Sequence, residues 1–343
     1  VQEDSYNKNM TQKIGFCCKY VRHDNKKGIV SIPELNTSTT TVAWLKKHPQ
    51  DIAEQKLWDL MVHNIESVKL LVKQVGSLNE QLRMVRLSSD ILPVYTHDQY
   101  RGFWQLPDVR QYCETHFQQV GQRARDRNIR LSMHPGQFTV LASDSEDIVN
   151  RSIEEFEYHA EMAKWMGYGQ TFQDFKINVH ISGRQGPEGI RKAYKRLSQE
   201  ARNTITIENE EMSHGLLDCL SISDLVPIVL DIHHHWVREG EYLDANDDRV
   251  KRVLDSWRGI RPTLHYSISR EDVLDSTNNL VKPEYNLLLE SGHKRAKLRA
   301  HSDFYWNSAV NDWALSFNDN FDIMCESKGK NLASRALYDQ WKK

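Results

Sequence analysis

The chain has 343 residues, of which 27% are charged and 39% are hydrophobic, a composition typical of a folded globular protein. No apolar run approaches the roughly 18 residues of a membrane span, so we expect no membrane contact. The formal net charge of −2 argues mildly against a nucleic-acid-binding protein, which usually has a basic surface.

The N-terminal residues and the cysteines bear on the cellular compartment. Residues 1–10 are polar and lack the apolar core of a secretion signal. The five cysteines, Cys17, Cys18, Cys113, Cys219 and Cys325, have no CxxC spacing, which is typical of reduced thiols inside cells. We therefore expect an intracellular protein, in the cytoplasm and nucleoid of a bacterium or the nucleus of a eukaryote.

Short apolar runs rich in β-branched residues alternate with amphipathic segments along the chain. The runs predict eight strands: Lys13–Tyr20, Gln81–Asp90, Ile129–Gln137, Phe175–Gly183, Thr204–Glu211, Ile228–His235, Pro262–Ser269 and Phe321–Lys330. The segments between them predict helices that include Asp51–Val75, Asp108–Arg127, Asp147–Met166 and Pro187–Arg202. Alternating strands and helices indicate parallel βαβ units.

Eight such units favour a closed barrel over an open sheet. We therefore predict an α/β fold, a single (β/α)8 TIM barrel over residues 13–343, preceded by a flexible N-terminal segment at residues 1–12. A doubly wound sheet is the alternative. No glycine-rich phosphate loop follows the first strand, which weakens that alternative.

Two polar insertions interrupt the pattern. Residues 28–50 are rich in Thr and Ser and contain Pro33 and Pro49, so they predict a surface loop. Residues 270–300 end in a basic run formed by His293, Lys294, Arg295, Lys297 and Arg299. That run is either a solvated face or a surface that approaches a phosphate backbone, and charge alone does not choose between the two.

Polar side chains stand at the predicted strand ends, where the loops of a TIM barrel converge on one face. From the third strand to the eighth, these ends carry His134, His180, Glu208, Asp231, His265 and Glu326, and His301 lies in the last connection. A single histidine at a strand end is usually a packing residue. Acids and histidines gathered on one small face, however, would be costly to bury without cations. The pattern therefore predicts a cluster of two or three divalent ions.

The ligand types narrow the choice of ion and of chemistry. Mixed imidazole and carboxylate ligands suit Mn²⁺ or Zn²⁺ better than Ca²⁺, which prefers oxygen alone. Such ion clusters stabilise the attacking and leaving oxygens of an in-line phosphate displacement. The sequence leaves open whether His233 or His234 faces the site. Asp231 and His233 share a side in an extended strand, but a strand that ends there could turn His234 inward instead.

Taken in chain order, the motifs resemble those of the UV-damage endonuclease family. They are Arg86–Pro93 (RLSSDILP), Met133–Phe138 (MHPGQF), Arg151–Glu154 (RSIE), Glu157–His159 (EYH), Ile207–Glu210 (IENE), Asp231–His235 (DIHHH) and Glu326–Lys330 (ESKGK). The resemblance runs from about residue 13 to residue 330, and MHPGQF is specific. It implies a barrel similar to that of endonuclease IV, with Mn²⁺ as the usual metal. It also implies an enzyme that cuts damaged double-stranded DNA immediately 5′ of UV photoproducts and, in some members, at other lesions. We expect a monomer.

The resemblance also implies roles for individual residues. The metal ligands would be His134, His180, Glu208, Asp231, His234, His265, His301 and Glu326. Glu208 would lie between two ions, and His234 and His301 would hold a third. Glu208 and His97 would be catalytic. Gln137 and Phe138 match the pair that probes the damaged dinucleotide, where the family more often has Gln-Tyr.

Two positions depart from the family pattern. Thr263 stands two residues before His265, where the family has a lysine that can carry a carboxylate. Tyr20 lies near the position of a usual Asn. Without the extra carboxylate, and unless Asp303 or a water fills the gap, we expect the ion at His234 and His301 to bind more weakly than the other two.

Two other functions compete with a repair endonuclease. A metal-dependent sugar isomerase uses the same barrel and a similar rim, but Gln137 and Phe138 have no evident role in such an enzyme. A protein that binds damaged DNA without cutting it is the second alternative. The complete ligand set argues against it, because nothing would retain buried acids once catalysis was lost.

Overall fold

The structure is a computed structural model that describes residues 11–274 and 278–343. The predicted flexible segment at residues 1–12 lies almost wholly outside the described residues, so it stays a prediction. No helix in the described part of the chain is long and apolar enough to cross a membrane.

The regular structure of the described residues consists of ten strands, fifteen α-helices and two short 3₁₀ helices, Pro33–Leu35 and Glu80–Leu82. The strands are β1 (Ile14–Cys17), β2 (Val21–Asp24), β3 (Gly28–Ser31), β4 (Met84–Arg86), β5 (Arg130–Met133), β6 (Lys176–His180), β7 (Ile205–Glu208), β8 (Ile228–Val229), β9 (Thr263–Tyr266) and β10 (Asp322–Cys325). The helices are α1 (Val42–Lys46), α2 (Gln50–Gly76), α3 (Arg101–Trp104), α4 (Pro107–Asp126), α5 (Glu146–Trp165), α6 (Gly186–Tyr194), α7 (Gln199–Thr204), α8 (Leu216–Leu220), α9 (Ile232–Glu239), α10 (Asp248–Ser256), α11 (Glu271–Leu274), α12 (Tyr285–Glu290), α13 (Arg295–Leu298), α14 (Ser308–Leu315) and α15 (Lys330–Trp341).

Eight of the strands form one parallel sheet in the order β8-β7-β6-β5-β4-β1-β10-β9. The two edges of this sheet meet, because Asp231, just after β8, forms a parallel bridge with His265 of β9. The His265 N–H donates to the Leu230 carbonyl at 2.9 Å. The sheet is therefore a nearly closed barrel surrounded by helices, and the predicted TIM barrel is confirmed.

The barrel interior is polar near the strand ends, and the alternation of side chains explains how. Along β6, Ile177 and Val179 belong to the apolar core. Lys176, Asn178 and His180 point the other way, into the barrel, where they contact polar groups of other strands. Because successive side chains in a strand point to opposite faces, one short strand supplies both the core and the site.

The helices agree with the predicted segments, with one exception. Residues 187–202 form two helices rather than one, because α6 ends at Tyr194 and α7 begins after Ser198. The Ser198 hydroxyl accepts a hydrogen bond from the Ala201 N–H at 3.1 Å, and such an N-cap starts a new helix. The predicted surface loop at residues 28–50 was also wrong in part, since it contains β3 and α1.

Each predicted strand contains one barrel strand, but the observed strands are shorter. The largest error lies at Ile228–His235, where β8 ends at Val229 and α9 begins at Ile232. The Asp231 carboxylate accepts a hydrogen bond from the His234 N–H at 2.7 Å, so Asp231 caps a helix instead of continuing the strand.

Candidate metal centre

The strand ends bring the predicted ligands to one rim of the barrel. Glu208 ends β7 and lies in register with His180, which ends β6. His134 directly follows β5, and Glu326 directly follows β10. His265 lies within β9, with its Nδ1 atom 3.1 Å from Glu208 Oε1. The parallel strands thus deliver side chains that are far apart in sequence to the same place.

Two groups of ligand-type atoms share Glu208. One is formed by His134, His180 and Glu208, and the other by Glu208, Asp231, His265 and Glu326; within each group the atoms lie within 4.8 Å of one another. We call these six residues the Glu208 cluster. His134 Nε2 and His180 Nε2 lie 3.5 and 3.6 Å from Glu208 Oε2, whereas His265 Nδ1 approaches Glu208 Oε1. Each oxygen of Glu208 therefore faces a different group, as in a carboxylate that bridges two ions.

The Glu208 cluster contains buried polar atoms that have no hydrogen-bond partner among the described residues. Glu208 Oε1, Asp231 Oδ2 and His265 Nδ1 are three such atoms, and their residues have no solvent exposure. Buried polar atoms are rarely left unpaired, and a cation would satisfy all three. The separations of 3.1–3.6 Å match two ligands on one ion, since metal–ligand bonds of about 2.1 Å place neighbouring ligands roughly 3–3.5 Å apart. The residues therefore fit divalent ions.

Each of the five predicted histidine ligands has one ring nitrogen held by another group. His134 Nδ1 lies 2.8 Å from the Pro135 carbonyl, His234 Nδ1 lies 2.9 Å from the Asn209 carbonyl, and His301 Nδ1 lies 2.9 Å from the Glu326 carbonyl. His180 Nδ1 faces Glu210 Oε1 at 3.4 Å, and His265 Nε2 faces Lys176 Nζ at 3.0 Å. Metal-binding histidines are usually oriented in this way through the nitrogen that does not bind the ion.

Helix α9 decides which histidine after Asp231 faces the cluster. His234 Nδ1 lies 3.5 Å from Asp231 Oδ2 and 3.6 Å from Glu208 Oε1, so it points inward. His233 stacks on Trp236 with ring centroids 5.9 Å apart. The choice that the sequence left open is therefore made by the helix that Asp231 caps.

Three residues that the sequence did not single out support the cluster. Asn178 Nδ2 donates to Glu208 Oε2, and Arg86 forms an ion pair with Glu326. Lys176 is buried inside the barrel beside His265. The sequence could have indicated two of them, because Asn178 and Lys176 lie two and four residues before His180 and so share its face of the strand.

The two departures from the family pattern have distinct surroundings. Thr263 is buried, and its hydroxyl has no hydrogen-bond partner in the part of the chain that the structure describes. The lysine in contact with His265 comes from β6. Asp303 pairs with Lys328 at 4.0 Å on the surface. Tyr20 packs edge-on against Phe16, with its hydroxyl 3.4 Å from Gln74 Nε2 of α2.

Burial and charge shift the pKa values of the cluster in opposite directions. Burial lowers the pKa of His134 to about 4 and that of Lys176 to about 7. Burial also opposes the charge of Glu208, but His265 and His180 outweigh it and hold the pKa of Glu208 well below its usual range. Burial raises the pKa of Asp231 well above its usual range. Asp231 is therefore the carboxylate that most needs a nearby cation to stay ionised.

A cavity of about 380 Å³ opens over the cluster and is lined in part by Arg86, His134, His180, Gln137 and His301. Gln137 and Phe138 lie in the loop after β5, and Phe138 is 86% exposed. An apolar ring with so much exposure at the mouth of a polar cavity is free to contact a partner.

His97 lies in the loop before α3, away from the atoms of the two groups. Its Nδ1 accepts a hydrogen bond from the Gln99 N–H at 3.2 Å, and its ring lies 5.3 Å from that of Tyr100. His97 is not among the residues that line the cavity. A catalytic role for His97 therefore stays a prediction.

The basic run predicted at residues 293–299 precedes His301, which lines this cavity, but none of its own residues is among the lining residues. Leu298 is fully buried, whereas Lys294, Arg295, Lys297 and Arg299 are exposed around it. Two residues later His301 forms an antiparallel bridge with Ser269, so the run lies next to the rim. An approach of this run to a phosphate backbone stays a prediction.

A family model described as UV-endonuclease UvdE matches residues 12–342. A UV DNA damage endonuclease of Bacillus cereus (strain B4264) is 25% identical over 315 residues, which cover 88% of this chain and 88% of that protein. A UV-damage endonuclease of Schizosaccharomyces pombe is 29% identical over 268 residues, which cover 74% of this chain and 40% of that protein.

Solved structures give the same fold. The crystal structure of SacUVDE superposes with a TM-score of 0.71 at 22% identity, covering 96% of this chain and 98% of that one. Endonuclease IV from Thermus thermophilus superposes with a TM-score of 0.51 at 12% identity, covering 80% of this chain and 94% of that one. The chain thus has a barrel similar to that of endonuclease IV.

Proposed function

The chain belongs to the UV-endonuclease UvdE family, and on that premise we propose that it is a DNA repair endonuclease. Its substrate is double-stranded DNA that carries UV photoproducts and some other lesions, and it cuts the damaged strand immediately 5′ of the lesion. The observation that carries this proposal is the Glu208 cluster, in which one buried carboxylate faces two groups of ligand atoms.

The resident cofactor in this proposal is a set of two or three divalent ions, with Mn²⁺ as the metal and Zn²⁺ as the alternative. His134, His180 and Glu208 would hold one ion, and Glu208, Asp231, His265 and Glu326 a second. His234 and His301 would hold the third. When bound, such ions lower the pKa of a water molecule and neutralise the charge that develops on the phosphate.

The protein side chains position the phosphate and keep the site in one geometry. Arg86 lines the cavity with its guanidinium beside Glu326, where it would bind a phosphate oxygen through charge-assisted hydrogen bonds. Asn178, held by Thr206 at 2.8 Å, fixes the orientation of Glu208. The cluster therefore needs little rearrangement when the substrate binds.

Recognition of the lesion is assigned to the loop after β5. Gln137 and Phe138 project beside the cavity, so that Phe138 would enter the helix at the weakened base stack and Gln137 would contact the exposed bases. A damaged dinucleotide costs less to unstack than a normal one. This loop would therefore select damage before the phosphate reaches the Glu208 cluster.

A duplex with one cyclobutane dimer and a labelled damaged strand tests the proposal. Protein stripped of metal by chelation should cut only after Mn²⁺ is added, at the phosphodiester immediately 5′ of the dimer. Ca²⁺ and an undamaged duplex serve as negative controls, and Glu188→Gln, an exposed residue of α6, is the matched control for Glu208→Gln. Equal cutting of damaged and undamaged duplex, or cutting by the Glu208→Gln variant, would contradict the proposal.

A further inference from the structure

The segment at residues 291–302 carries four lysine and arginine side chains and no acidic residue. The four are Lys294, Arg295, Lys297 and Arg299, and all of them are exposed. We call them the 294–299 cations. Because the whole chain has a formal net charge of −2, this concentration of positive charge is a local feature that the overall composition conceals.

The backbone that carries these cations is anchored to the barrel by apolar contacts. Leu298 has no solvent exposure and packs with Tyr285 of α12 against Trp236 and Val237 of α9. The Tyr285 hydroxyl donates to the Val237 carbonyl at 2.8 Å and accepts from Arg295 Nε at 3.0 Å. The segment is therefore fixed from below while its charged side chains face solvent, so a ligand would have little backbone to order on binding.

The 294–299 cations adjoin the metal centre. The chain continues from Arg299 to His301, which forms an antiparallel bridge with Ser269 and lines the cavity over the Glu208 cluster. Arg299 Nη1 lies 3.2 Å from Glu211 Oε1, and Glu211 Oε2 lies 3.6 Å from His234 Nε2. One carboxylate therefore separates the guanidinium of Arg299 from a histidine whose ring faces the cluster.

Most of this positive charge is not neutralised by the fold. Of the 294–299 cations, only Arg299 forms an ion pair with another described residue, and Arg295 contacts a neutral hydroxyl. Four like charges within six positions repel one another, so they do not stabilise the segment that carries them. An anion that meets several of them at once would relieve this repulsion.

We propose that the 294–299 cations bind the phosphate backbone of the DNA duplex beside the phosphodiester that is cut. The inference rests on the proposed function only in taking double-stranded DNA as the substrate. Duplex DNA carries one negative charge per about 1.7 Å of its axis. A duplex with one phosphodiester at the Glu208 cluster therefore presents further phosphates to the surface that adjoins the cluster.

This contact differs in kind from the one assigned to Phe138. Phosphate contacts position a protein on DNA but carry no direct information about the bases, so the 294–299 cations raise the affinity for damaged and undamaged duplexes alike. Phe138 is apolar and 86% exposed, and its contact depends on a weakened base stack. The two surfaces therefore make separable contributions, one to affinity for any duplex and the other to the preference for damage.

The salt dependence of duplex binding, measured by fluorescence anisotropy, tests the inference in a double variant, Lys294→Gln with Lys297→Gln. Each lost phosphate contact should reduce the slope of log affinity against log salt by about 0.9. We expect the slope to fall by about 2 and the affinity at low salt to fall about tenfold, equally for a dimer-containing and an undamaged duplex. The matched control is Lys73→Gln with Lys195→Gln. These exposed lysines lie near the C-terminal ends of α2 and α6, away from the carboxyl ends of the strands, and the control should bind as wild type.

Unchanged Mn²⁺ binding and thermal unfolding of the double variant show that it is folded. Equal slopes and affinities in the double variant and the control would overturn the inference, as would a loss confined to the damaged duplex. Incision of the dimer-containing duplex is measured in parallel. If the wild type cuts but the double variant binds DNA as the control does, the inference fails and the proposed function stands. If the wild type binds DNA without cutting it and the double variant loses affinity and slope, the reverse holds.

Discussion

The Glu208 cluster lies on paired strands of the barrel, whereas the rim around it is formed by loops. Glu208, Asp231 and His265 have no solvent exposure and are held by paired parallel strands. Gln137, Phe138 and Arg299 lie in loops, and Phe138 is 86% exposed. The rigid frame therefore carries the groups suited to chemistry, and the loops carry the groups suited to recognition, a division that many enzymes on this fold share. Substitutions in the two regions should separate metal binding from DNA binding.

Glu208→Gln should have the largest effect of any single substitution. The variant loses a negative charge that faces both groups of the cluster, so it should lose more activity than any single histidine variant. We expect the rate of strand incision in the bound complex to fall by about three orders of magnitude or more, since ions of this kind supply several kcal/mol of transition-state stabilisation. Single-turnover incision of the dimer-containing duplex measures it. Normal cutting by Glu208→Gln would remove the bridging role.

Phe138→Ala should weaken DNA binding and leave metal binding unchanged, whereas Glu208→Gln acts through the metal site. Loss of one aromatic stack should weaken binding to the damaged duplex by about 1–3 kcal/mol, while the number of bound ions stays the same. Fluorescence anisotropy with damaged and undamaged duplexes measures the affinity. Leu217→Ala, at another exposed apolar residue, is the control. If the variant and the parent bind damaged DNA equally, Phe138 is a packing residue.

Glu210→Gln tests whether Glu210, which contacts the ligand His180, contributes to metal affinity. Glu210 Oε1 faces His180 Nδ1 at 3.4 Å, so its charge helps to direct the other ring nitrogen toward Glu208. We expect the ion at His134 and His180 to bind about 10–100-fold more weakly, with no change in affinity for undamaged DNA. Unchanged Mn²⁺ affinity would show that His180 is oriented without Glu210.

The pH dependence of ion binding should differ between His134 and His234. In the metal-free protein, burial lowers the pKa of His134 to about 4, so its ring is neutral at pH 7. Burial also opposes protonation of His234, but Asp231, Glu208 and Glu211 outweigh it and raise the pKa of His234 to about 10. An ion at His234 must therefore displace a proton. The affinity for the third ion should rise about tenfold per unit between pH 7 and pH 9.

The stability of the metal-free protein should follow the same two groups. The raised pKa of His234 stabilises the fold fully below the unfolded value of about 6.5, and this contribution is lost as pH rises toward 10. The lowered pKa of His134 has the opposite sign, since its contribution is lost as pH falls from about 6.5 to 4. Histidine resonances followed by NMR would refute the first statement if His234 were neutral at pH 7, and the second if His134 were protonated at about pH 5.5.

The sequence predicted the cluster better than the rim, and the reason is geometric. Parallel strands in a barrel place all their carboxyl ends on one face, so His134, His180 and Glu208 could be grouped from their positions alone. Their roles as ligands remain predictions. The choice of His234 over His233 depended on a helix cap at Asp231, which the apolar run at Ile228–His235 concealed.

Contacts between distant segments could not be predicted in this way. Lys176 and His265 are 89 positions apart, and Glu211 and Arg299 are 88 apart. The first pair is in contact because the barrel closes, and the second because Tyr285 and Leu298 of the insertion pack on α9. Residue types and their spacing do not predict contacts between segments so far apart in the sequence.

The central claim is that Glu208 bridges two ions at the strand ends, and anomalous X-ray scattering at the manganese edge tests it most directly. Crystals equilibrated with Mn²⁺ should show one peak among His134, His180 and Glu208 and a second among Glu208, Asp231, His265 and Glu326. Both peaks should lie about 2.1–2.3 Å from an oxygen of Glu208, the range of divalent ions on oxygen ligands. Absence of a peak within bonding distance of Glu208 at saturating Mn²⁺, or a single peak that involves only one of its oxygens, would contradict the account.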